Sequence, residues 1–150
     1  MVRNIRKFLG LDATAQQLLI EAFISLGSAR LLIKTISFKR ITSLLEHEPY
    51  KTESPTLVDS EEKTAHAIGD AIRIAASHTP WESACLVQVL AAQKMLSKRN
   101  ISGVFYLGAG RDSNTTDQLH AHAWLKCGNK IITGEAGHER FAVLSTFSWK

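Results

Sequence analysis

The sequence predicts an α+β fold in which a run of helices precedes an antiparallel sheet. Three observations carry this reading. Apolar residues recur at three- and four-residue steps as far as Lys98. Beyond Asn100 the period changes to short runs rich in β-branched and aromatic residues. Polar or glycine connections separate those runs, so consecutive strands can pair with their neighbours.

Residues 1–55 read as an N-terminal helical segment and 56–150 as the core. Leu11, Ala15, Leu18, Ala22 and Leu26 form one stripe, widened by Leu19 and Phe23, and Gly27-Ser28 reads as a kink or an end. Leu31, Leu32 and Ile33 continue the apolar run. Ser37 is placed to cap a short helix carrying Phe38, Ile41, Leu44 and Leu45. The polar stretch from Glu46 to Pro55, with two prolines, reads as a linker. A helix is expected from Asp59 or Ser60, where Glu61 and Glu62 suit the positive end of its dipole, burying Ala65, Ile68, Ile72 and Ala75-Ala76. A strong helix comes after Ser83, and strands are expected at Val104–Leu107, Leu119–Lys126, Lys130–Thr133 and Phe141–Leu144.

Composition narrows the function classes. A hydrophobic content of 45% can fill a core, and a net charge of +4 is too mild to point to nucleic acid. Two cysteines make no disulfide framework, so free thiols in the cytoplasm are expected. The basic opening Met1–Phe8 has no uninterrupted apolar run behind it, because Asp12 and Glu21 interrupt the next segment. Neither a secretory signal nor a membrane span is expected.

Cys85 stands where a loop meets the start of a helix. Amides at a helix N-terminus favour a thiolate and can hold a developing oxyanion, which is what a sulfur nucleophile needs. Ser83 is a candidate N-cap, although Thr79-Pro80-Trp81-Glu82 also resembles a capping box. An unbroken helix from Thr79 would leave Cys85 beyond the first turn. A short turn at Pro80 and a fresh helix start are favoured. Cys85 also shares a face with Val89, Ala92 and Leu96, and on that stripe alone a small buried hydrophobe is the favoured reading.

The segment Leu119–Leu125 weighs against that bland alternative. Alternation puts His120, His122 and Trp124 on one face. A histidine there could take the cysteine proton and return it to a leaving amine. Gly128-Asn129 reads as a two-residue turn, and counting outward from it sets Glu135 opposite His122, where a carboxylate could orient the ring. One extra loop residue would set Gly134 there instead. Cys85, Cys127, His120 and His122 are possible zinc ligands, but their spacing fits no familiar metal motif, so no metal is expected. A hairpin strand gives Cys127 no helix terminus to activate it.

The blocks Cys85–Gln93, Val104–Gly108, His120–Leu125, Ile132-Thr133-Gly134 and His138–Phe141 resemble the lasso-peptide leader peptidases, the transglutaminase-like B proteins of lasso-peptide biosynthesis. The resemblance covers essentially the whole chain. It implies a transglutaminase-like or papain-like core, with a central helix against the sheet. The implied activity is cysteine proteolysis that removes the leader from a ribosomally made lasso precursor. The family nucleophile falls on Cys85 and its general base on His122. Many members carry an aspartate where this chain has Gly134, which leaves Glu135 the nearest acid. The helical front lacks a winged recognition module, so a separate leader-recognition protein is implied, with a lasso cyclase closing the ring. ATP belongs to that cyclase step. Gly108-Ala109-Gly110-Arg111 is no phosphate loop, and no cofactor is expected. Transglutaminase-like acyl transfer, or a non-catalytic module that binds the precursor, are the alternatives.

Overall fold

The computed structural model describes residues 2–111 and 119–150. Five helices, α1 (Val2–Leu9), α2 (Ala13–Thr35), α3 (Phe38–Ile41), α4 (Asp59–Ala76) and α5 (Cys85–Lys98), accompany a five-stranded antiparallel sheet. Its strands are β1 (Glu46–Glu48), β2 (Gly103–Arg111), β3 (Leu119–Cys127), β4 (Lys130–Thr133) and β5 (Ala142–Trp149), in the order β1-β5-β2-β3-β4.

The α+β class expected from the sequence is the one observed. Several local readings differ, among them the short helix α3, which ends at Ile41 before Leu44 and Leu45 and takes no side-chain capping bond from Ser37. Gly27 does not end α2, which runs on to Thr35; its missing side chain makes room for the Trp81 ring, to which a Cβ would come within 3.3 Å. The stretch read as a linker contributes β1, paired with β5 through Glu46↔Ser148 and Glu48↔Thr146. A polar three-residue edge strand has no alternating apolar signal and is fixed by its partner instead.

The main core lies between the helices and one face of the sheet. Ala22, Leu26 and Ala29 of α2 meet Ala65, Ile68 and Ile72 of α4, seven residues of α5, and Phe105, Ala123, Leu125 and Phe147 of the sheet. Each fully buried Leu or Ile there contributes about 2 kcal/mol of transfer free energy. A smaller cluster of Val104, Tyr106 and Trp124 occupies the other face, where the Tyr106 hydroxyl donates to the Thr52 carbonyl at 2.6 Å.

Two features fix where α4 and α5 stand. Gly69 presses on β4 so closely that a Cβ would meet the Ile132 carbonyl oxygen at 2.7 Å. Arg99, just beyond α5, holds Glu21 of α2 through two nitrogens at 2.9 and 2.6 Å. That hydrogen bond, helped by the charges of Arg99, Lys98 and Lys94 and opposed by burial, keeps the Glu21 carboxyl below its ordinary 4.5. A depressed carboxylate stabilises the fold above its unfolded value and loses that contribution as pH falls through the folded one. Glu21→Gln should therefore cost about 1–2 kcal/mol at neutral pH. The gap between variant and parent in denaturant melts should close below pH 4.5. A gap that persists unchanged into acid would remove the ion pair as its cause.

Candidate active site

Cys85 is the first residue of α5. The helix starts afresh after a bend at Pro80-Trp81, in line with the favoured reading, but its N-cap is Ala84 rather than Ser83. Ser83 is engaged elsewhere: its hydroxyl pairs with Thr79 Oγ1 at 2.8 Å, and its carbonyl accepts from Gln88 Nε2 at 2.9 Å. Alanine offers no side-chain acceptor, and the first turn has no side-chain cap. The first amide with a helical acceptor is that of Gln88, which donates to the Ala84 carbonyl at 3.0 Å. The amides of Cys85, Leu86 and Val87 precede it, at the end where a helix has N–H groups to spare. Free amides at a helix start favour negative charge close to them. The Trp81 indole nitrogen is buried without a partner, packed edge-on against Phe23 at 5.8 Å.

His122 comes from β3 and is half-buried. Its ring lies 5.7 Å from that of Trp124 and 4.9 Å from that of Phe141. Nε2 stands 2.7 Å from the Gly134 carbonyl oxygen. A carbonyl only accepts, so Nε2 must carry the hydrogen. In the neutral ring, Nδ1 is then the basic nitrogen. His120, on the same strand, is exposed.

The partner of His122 differs from the register expected. Cys127↔Lys130 and Lys126↔Ile131 flank the two-residue turn, but the next pair is Leu125↔Thr133, with one residue inserted. That bulge shifts everything beyond it, so Glu135 does not fall opposite His122. Among the described residues, no hydrogen bond joins the Glu135 carboxylate to the ring. Gly134 meets it through its backbone. At φ +75° this residue is left-handed, and a Cβ would strike the Ala123 carbonyl and lie 2.9 Å from Trp124 Cβ. Position 134 therefore has no room for a side chain, an aspartate included.

Cys85 and His122 line one cleft of about 570 Å³, with Gln88 from α5, His66, Gly69, Asp70 and Arg73 from α4, and the stretch Ile131–Ala136. No hydrogen bond joins Cys85 to His122 among the described residues, and such contacts often tighten only when substrate is bound. Asp70 is tied to Arg73 at 2.6 Å and lies 3.8 Å from His66. Cys127 is elsewhere, buried in the main core, and burial pushes its thiol up to about 12. No group of three or more metal-ligating side chains occurs among the described residues. The α4 wall and the Gly134 carbonyl were missed from sequence. The i, i+3, i+4, i+7 spacing of His66, Gly69, Asp70 and Arg73 was the available signal for the first.

A family model described as the transglutaminase-like superfamily matches residues 28–146. No curated protein and no solved structure matches the chain. No helix of the described residues is long and apolar enough to cross a membrane.

Substitution at Gly134 tests the backbone clamp. Gly134→Ala should destabilise by about 2 kcal/mol or more, from left-handed strain together with the clash. Gly134→Asp should be no better, because its Cβ meets the same atoms. Thermal melts of both variants at parental stability would show that the carbonyl geometry is dispensable.

Proposed function

As the chain belongs to the transglutaminase-like superfamily, we propose that it is a cysteine peptidase in which Cys85 is the nucleophile and His122 the general base. The superfamily includes both cysteine peptidases and acyltransferases. The observation that carries the proposal is a thiol at an uncapped helix start sharing a cleft with a histidine whose outer nitrogen is already bonded to a carbonyl.

In this mechanism His122 Nδ1 takes the Cys85 proton as the sulfur attacks the scissile carbonyl. Amides at the start of α5 hold the oxyanion. The tetrahedral adduct collapses, the C–N bond breaks, and the leaving amine takes the proton from His122. Water then attacks the thioester, giving its proton to His122, and the acid product departs as the thiol re-forms. The Gly134 carbonyl supports each protonated stage by accepting from Nε2. That is the orienting part an acid plays in a Cys-His-acid set.

The substrate we infer is the leader of a lasso-peptide precursor, delivered by a separate recognition protein before a lasso cyclase acts in the same cytoplasm. The resemblance of the Cys85 and His122 blocks to the leader peptidases supports it.

Mass spectrometry of the precursor mixed with chain and recognition protein tests the reading. The parent should release the leader, whereas Cys85→Ala and His122→Ala should each lose at least about 10³-fold in rate. Cleavage that survives Cys85→Ala would remove the assignment. Incorporation of an added amine in place of water would move the chain to the acyltransferases.

A further inference from the structure

We propose that Glu135 sets the charge preference of the cleft, and that the substrate carries a lysine or arginine side chain next to the scissile bond. The inference rests on Cys85 acting as the nucleophile.

His122 does not occupy Glu135, because the Gly134 carbonyl has already taken Nε2. The backbone of Glu135 is nevertheless held firmly: its carbonyl accepts from the His138 amide at 3.2 Å and from His138 Nδ1 at 2.7 Å. An anchored main chain thus presents an exposed carboxylate at the mouth of the cleft.

The balance of charge along the lining points the same way. Arg73 and Asp70 cancel each other at 2.6 Å, and His66 approaches the other Asp70 oxygen at 3.8 Å. Glu135 has no ion-pair partner among the described residues, so it is the uncompensated charge of the lining. The chain as a whole carries +4. A negative cleft in a positive protein is a local inversion, not a spill-over of the general field. Ile131 and Ala136 lie alongside. Their apolar surface suits the methylene stem of a long basic side chain whose head reaches the carboxylate.

Charged thiol reagents read this without any knowledge of the substrate. Cys85 in the full chain is modified by the cationic trimethylammonioethyl methanethiosulfonate and by the anionic sulfonatoethyl methanethiosulfonate. The ratio of the two second-order rates is divided by the same ratio for a free cysteine peptide. Cys127 is only 1% exposed, so Cys85 should account for the signal, and Cys85→Ala should erase it. The normalised ratio should favour the cation. Glu135→Gln should lower it about threefold at low ionic strength, and Glu135→Lys should lower it further. Both effects should shrink as salt is added.

The position is exposed, and circular dichroism of the two variants checks that they fold. A ratio unmoved in both, with Cys85 still reactive, overturns the role of Glu135 and leaves the nucleophile standing. A Cys85 that resists both reagents in the parent overturns the proposed mechanism as well.

Discussion

The bond from His122 Nε2 to the Gly134 carbonyl is the constraint on which the site turns. It fixes which nitrogen carries hydrogen, and with it which one can act as a base. It exists because the β3–β4 hairpin gains a residue after Lys126↔Ile131 and then turns through a left-handed glycine. A side chain at that position would collide with Ala123 and Trp124. The same backbone path that leaves position 134 without a side chain also brings a backbone oxygen to the ring. Trp124 stacks on the imidazole and Phe141 packs against it at a tilt, so the ring is set by aromatic contacts as well as by its hydrogen bond.

The rest of the cleft depends on how closely the helices meet the sheet. Gly69 lets α4 rest on Ile132, which brings the row of His66, Asp70 and Arg73 to the rim. Helix α5 is buried along most of its length, from Val87 to Leu96, so its first residue can emerge only at the end of the packed layer. The ion pair of Glu21 with Arg99 pins the far end of that helix to α2. Packing thus decides where the sulfur is, and the hairpin decides how the imidazole faces.

Much of this was legible in the residues. The break at Pro80, the fresh helix beside Cys85, the strand holding His122 and Trp124, and the turn at Gly128-Asn129 are all local patterns, and each formed, with the helix capped one residue later than read, at Ala84. Proline cannot continue a hydrogen-bonded helix, and alternation assigns strand faces without reference to anything distant. The bulge was not legible, since an inserted residue is stabilised by partners on the neighbouring strand and leaves no mark in composition. Neither was β1, whose three polar residues are a strand only because β5 lies beside them. The continuation of α2 past Gly27 has the same origin: a glycine that looks like a stop is the seat of an indole. What the sequence hid was in each case a contact made across the fold.

The separation of the two sulfurs has a redox consequence. Cys127 is sealed in the core beside Gly103 and Trp149, its thiol held neutral by burial, while Cys85 faces the open cleft. Peroxide entering the cleft would meet one sulfur and convert it to a sulfenic acid, with no neighbouring thiol to condense with. Repair then falls to small external reductants. Without them the damage climbs to sulfinic acid, an irreversible loss of the thiol we propose as the nucleophile.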